Sequence, residues 1–114
     1  MIKVLARNNE LTIIAVNYCF FGVKNDIVVL VDLSSLTKPN SNFKYGDFTS
    51  EYSKETLNIW EKQAQLFIAE YKTDLKEYGL PKDKIGWYIK NRYNQILKSF
   101  NEAIGYVIYP NQLP

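Results

Sequence analysis

Apolar residues run almost without interruption through the first third of the chain, and the polar residues that break them are turn formers. "IKVLA" (2–6), "LTIIAVNYCFFGV" (11–23) and "DIVVLVDL" (26–33) are rich in β-branched and aromatic side chains. Asn8-Asn9 and Lys24-Asn25-Asp26 separate them, and Asn and Asp tolerate the left-handed backbone that tight hairpins need. The pattern predicts a three-stranded antiparallel meander over residues 1–34. Within the strands the usual polar alternation is missing. Leu11, Ile13 and Ala15 fall on one face and Ile14, Val16 and Tyr18 on the other, while Ile27, Val29, Val31 and Leu33 oppose Val28 and Leu30. A sheet with one wet face alternates apolar and polar residues, so both faces of this one are expected to be covered. Helices account for one face. The other is left to the following loop or to a second copy of the chain, which predicts a homodimer formed through the sheet.

From Ser53 the period changes. Leu57, Trp60, Ala64, Phe67, Tyr71, Leu75 and Tyr78 are three or four apart, one stripe of a helix. Ser53 caps its start and Gly79, free to take positive φ, ends it. Pro81 opens a second helix with Asp83 near its N-terminus, and Ile85, Ile89, Tyr93, Ile96, Phe100 and Ala103 form its inward stripe. Residues 54–104 thus read as an antiparallel two-helix hairpin. The stretch 35–53 is irregular, punctuated by Pro39 and Gly46. Its aromatics Phe43, Tyr45 and Phe48 alternate with polar residues, as in an extended cover or a short edge strand. "GYVIYP" (105–110) reads as a short C-terminal strand able to join the sheet edge. The fold class is α+β, one domain over 1–114, with the meander packed on the helical hairpin.

Composition narrows the function classes. With 114 residues, 46% hydrophobic and 23% charged, the chain buries a modest core without disulfides. Cys19 is the lone cysteine, so no intrachain disulfide forms, which fits a reducing, cytoplasmic setting. "MIKVLARNNE" lacks the apolar core and cleavage site of a signal peptide, and Asn17, Lys24 and Asp32 interrupt the apolar runs too early for a membrane helix; no membrane partner is expected. The net charge is +2. Residues 1–53 carry five Lys/Arg and five Asp/Glu, residues 54–79 four and five, and residues 80–114 five and two, so the positive excess sits on the last third.

The absence of histidine removes Ser-His-Asp and Cys-His pairs and the usual base near neutral pH. No phosphate-binding Gly-rich loop is present. No catalytic residue, metal ligand or cofactor is assigned. One enzymatic alternative is kept: Asp32, Asp47 and Glu51 converging as a carboxylate site for Mg²⁺.

The remaining signal is "YGLPKDKIGWYIKNRYN" (78–94). If Ile85, Ile89, Tyr93 and Ile96 face inward, Lys84, Trp87, Asn91, Asn94 and Lys98 face outward. A tryptophan among lysines and amides is an expected contact anchor. Lys84, Trp87, Tyr88, Lys90, Asn91 and Arg92 are the first candidate partner-binding residues, followed by Phe43, Tyr45 and Phe48. Residues 75–92 also resemble a helix-turn-helix, with Gly79 at the turn and apolar residues at Ile85 and Tyr88 or Ile89. The resemblance implies nucleic acid as partner, with Lys82, Lys84, Lys90 and Arg92 on phosphates and Asn91 reading a base. The preferred reading is a small non-enzymatic protein, an inhibitor or adaptor of the kind encoded by a phage, virus or mobile element, that occupies the surface of a protein partner.

Overall fold

The computed structural model describes residues 2–31, 42–79 and 85–104, without the side chains at 85–87, 101, 103 and 104. Tight turns build its sheet. Strands β1 (Ile2–Arg7), β2 (Thr12–Val16), β3 (Cys19–Lys24) and β4 (Ile27–Val31) follow one another as antiparallel neighbours. The expected second strand, 11–23, is therefore two strands, and the meander has four rather than three. It divides at Asn17-Tyr18, where φ is 50° and 65°; Asn25-Asp26, at 51° and 62°, closes the next hairpin. Two-residue loops with positive φ at both positions match the right-handed twist of the strands they join. Asn8 closes the first hairpin differently: its side-chain Oδ1 accepts from the backbone N–H groups of Glu10 and Leu11 at 2.8 and 2.7 Å.

Tyr18 is an unusual residue for its place. A left-handed backbone crowds Cβ of any L-residue by about 1–2 kcal/mol, and the Tyr18 side chain is fully exposed, with no packing to offset that. Tyr18→Gly should therefore stabilise the fold. The gain is about 0.5–1 kcal/mol once the extra freedom of glycine in the unfolded chain is subtracted, seen as a higher urea midpoint.

The aromatic loop does supply a short edge strand. β5 (Lys44–Tyr45) pairs with Ala6 and Arg7 of β1, giving the order β4-β3-β2-β1-β5. Residues 105–110, the other expected edge strand, lie outside the described residues.

Helix α1 (Lys54–Tyr78) begins and ends as the sequence predicts. The Ser53 Oγ accepts from the Thr56 N–H at 3.1 Å, and Gly79 turns left-handed at φ 63° while its N–H reaches the Leu75 carbonyl at 2.9 Å. Its 25 residues make a rod about 37 Å long, nearly the 39 Å longest dimension of the chain. Trp60, Ala64 and Ile68 are buried, and Leu57, Phe67 and Tyr71 pack against the core. No residue of α1 after Ile68 is fully buried, so Tyr78, expected on the inward stripe, is instead 72% exposed.

The expected second helix is two: α2 (Ile85–Arg92) and α3 (Asn94–Ile104). They meet at Tyr93, whose N–H still donates to the Ile89 carbonyl at 2.9 Å while its own carbonyl accepts from the Leu97 N–H at 2.6 Å. The bend changes the phase of the inward stripe. Ile89, Tyr93 and Phe100 are buried as expected, but Ile96 is 42% exposed and Leu97 packs against the core in its stead.

The two long helices lie on opposite faces of the sheet. Directly paired residues share a face, so Val4, Ile14, Phe21 and Leu30 form one row and Ala6, Ile13, Gly22 and Val29 the other. The change of face along β1 comes from a bulge at Leu5. Phe21 meets Phe67 of α1 at 6.5 Å between ring centroids. The next residue, Gly22, points the opposite way, and a Cβ there would lie 2.9 Å from the Phe100 ring of α3. Lys24 on that face donates to the Ser99 Oγ at 3.2 Å. The expected helical hairpin on one side of the sheet is thus replaced by helices on both, and a second copy of the chain is not needed to supply a cover for the second face.

Candidate functional site

The residues nominated from 78–94 divide between two roles. Tyr88 is buried: its hydroxyl donates to Asp74 Oδ2 of α1 at 2.5 Å, and its ring packs on Tyr71 with centroids 5.1 Å apart. Arg92 pairs with Glu70, lies 3.7 Å from Asp74 Oδ2, and donates through Nε to the Tyr93 hydroxyl at 3.1 Å. Tyr93 in turn meets Phe67 edge-on at 5.4 Å. Both residues therefore join α2 to α1. Lys90 and Asn91 are exposed on α2. Lys84 lies outside the described residues, as does the side chain of Trp87, whose backbone belongs to α2.

Burial and the bond to Asp74 hold the Tyr88 hydroxyl well above the ordinary tyrosine range; Arg92 pulls the other way. Burial likewise raises the Tyr93 hydroxyl, against the opposing hydrogen bond from Arg92. The junction is a protonated-phenol cluster closed by one guanidinium, a device for holding helices together.

The loop aromatics are also committed. Phe43 is buried, Tyr45 packs against the core, and Phe48 carries the Arg7 guanidinium over its ring at 4.5 Å. Arg7 also pairs with Glu51. Asp47 accepts from the Thr49 hydroxyl at 2.6 Å and the Thr49 N–H at 3.2 Å, bonds that lower its carboxyl below the usual range. Glu51 and Asp47 thus face separate partners, and Asp32 lies outside the described residues. Among the described residues no three His, Cys, Asp or Glu side chains gather as a metal site requires. Burial pushes the Cys19 thiol up, with Lys72 acting against it, so the sulfur is held away from the thiolate form that makes a cysteine reactive.

No family model, curated protein or solved structure matches the chain.

What the described surface does offer is apolar side chains that the core does not use. Tyr18 stands fully in water at its turn, and Leu66 is 67% exposed on α1. The two are neighbours of one tether: the Asn17 Nδ2 donates to the Gln65 Oε1 at 3.1 Å, and each exposed residue directly follows one of those partners in the chain. Sequence reasoning passed over both. Tyr18 was hidden inside an apolar run, where Asn17 was the one sign of a turn; Leu66 falls off the inward stripe of α1 and is legible as an outward leucine. Among the described residues no helix is long and apolar enough to cross a membrane.

Proposed function

We propose that this chain is a small non-enzymatic interaction protein that acts by binding a protein partner through a surface including Tyr18 and Leu66, with Lys90 and Asn91 as further contacts. The observation that carries this reading is Tyr18: a fully exposed aromatic ring on a left-handed turn. A tyrosine kept where the turn would be less strained with glycine is a mark of a functional position, and tyrosine supplies large, stiff contact area at protein interfaces. The commitment of Arg92 to Glu70 and Asp74 favours a protein partner over a nucleic acid, because a cation already paired with carboxylates is poorly placed to neutralise phosphate.

The test compares affinity capture from a nuclease-treated host lysate by the parent and by the Tyr18→Gly/Leu66→Lys variant, with melting curves confirming that both are folded. A protein retained by the parent should be reduced about tenfold or more by the variant, the size of a hot-spot loss. Equal retention by the two would remove Tyr18 and Leu66 from the contact. Material retained from an untreated lysate but wholly absent after nuclease treatment would transfer the function to nucleic-acid binding.

A further inference from the structure

A separate feature lies at the end of the sheet where the first hairpin turns. Arg7, Asn8, Asn9, Glu10, Asn42, Lys44, Tyr52 and Glu102 line an open cleft of about 710 Å³, within the roughly 300–1,000 Å³ usual for ligand sites. Separate parts of the chain converge on it. Arg7 and Lys44 come from the paired strands β1 and β5 and stand directly opposite each other across the ladder. Glu10 comes from the hairpin turn and Glu102 from α3, on the far side of the sheet from α1. Tyr52 supplies an aromatic wall, fixed by a 3.2 Å hydrogen bond between its hydroxyl and Thr12 Oγ1 and by the edge-on Trp60 ring at 4.9 Å.

The charges decide what such a cleft fits. Like charges directly opposed across a ladder repel. Arg7 has Glu51 as counter-ion, but among the described residues no carboxylate stands within ion-pair distance of Lys44. Glu10 and Glu102 likewise have no cation of the described residues paired with them. The cleft therefore keeps one cation, Lys44 on β5, and two carboxylates on the turn and helix, without an ion pair among the described residues. A polyanion is repelled by the two glutamates, and an apolar ligand finds mostly amide and charged groups. A bare metal ion meets Arg7 and Lys44 beside the carboxylates. The complement is a molecule carrying both charges, several ångströms apart, with a small apolar body for Tyr52.

We propose that this cleft binds a short zwitterionic peptide, with its carboxylate at Lys44 and its ammonium at Glu10 and Glu102. A tripeptide, about 10 Å long when extended, suits a cleft of this size. Binding here is independent of the Tyr18 surface.

The experiment is an amide chemical-shift titration of the full chain with trialanine, beside N-acetyl-trialanine, which lacks the cation, and trialanine amide, which lacks the anion. Trialanine should move the amides of Arg7, Asn8, Asn9, Glu10, Lys44 and Glu102 in a saturable way. Each capped peptide should bind about fivefold more weakly, the most that an exposed ion pair supplies. Lys44→Ala should erase the preference for the free carboxylate, and Glu102→Gln should reduce the preference for the free ammonium; both side chains are exposed, so each variant is expected to fold. Absence of saturable shifts at these amides would overturn the proposal, as would equal binding of all three peptides or shifts unchanged by both substitutions.

Discussion

Phe100→Ala should lower the unfolding free energy by about 3–5 kcal/mol, the usual cost of emptying a buried phenylalanine site. Phe100 is 2% exposed, and its ring fills the space left by the missing side chain of Gly22. A Cβ at Gly22 would sit 2.9 and 3.1 Å from two ring carbons of Phe100 and 3.3 Å from Leu11 Cδ1. Gly22→Ala should therefore cost about 1–3 kcal/mol through overpacking. The two sites are coupled: with Phe100 already cut to Ala, the added methyl finds room, and most of the Gly22→Ala penalty should vanish. Urea unfolding of the parent, both single variants and the double variant measures this, with an expected interaction of about 1 kcal/mol or more. Equal cost of Gly22→Ala in both backgrounds would mean that ring and strand do not touch.

The second large effect belongs to the junction of α1 and α2. Tyr88→Phe removes a hydrogen bond to an ionised acceptor, worth about 1.5–3 kcal/mol; the lower end is expected, because Asp74 keeps 21% exposure and water replaces the lost donor. The same substitution should change the response to alkali. The native state holds the Tyr88 proton more tightly than the unfolded chain does, where a tyrosine titrates near pH 10. Stability from this group is complete below about pH 10 and falls as pH rises further, since only the unfolded state then gives up the proton. Tyr93 and Tyr45, both raised by burial, act in the same direction. The urea midpoint of the parent should therefore fall above about pH 10, and less steeply in Tyr88→Phe. Parallel slopes would show that the Tyr88 hydroxyl does not stay protonated in the junction.

Local signals carried much of this fold. Ser53 and Gly79 act through their own backbone geometry, so the limits of α1 could be read directly, as could the Asn25-Asp26 turn. The Asn17-Tyr18 turn was hidden because tyrosine is a strand former and its neighbours on both sides are apolar; hairpin closure prevailed over propensity there. The break at Tyr93 has no proline or glycine to announce it. It follows from tertiary packing: α2 is tied to α1 by Asp74 and Glu70, while α3 follows Phe100 to the opposite face of the sheet. The absence of alternation in the strands correctly called for two covered faces, yet could not say that one chain would cover both. Candidate contacts were less legible. Outward spacing predicted the exposure of Asn91, Asn94 and Lys98, but no periodicity could reveal that Arg92 and Tyr88 find acidic partners one helix away.

The most direct check on the architecture is a nuclear Overhauser measurement between the ring protons of Phe100 and the α-protons of Gly22. The helices-on-both-faces arrangement predicts strong cross-peaks there, with Phe67 showing its own set to Phe21. Cross-peaks from Phe100 to Phe21 in place of Gly22 would put α3 beside α1 on a single face and contradict the account.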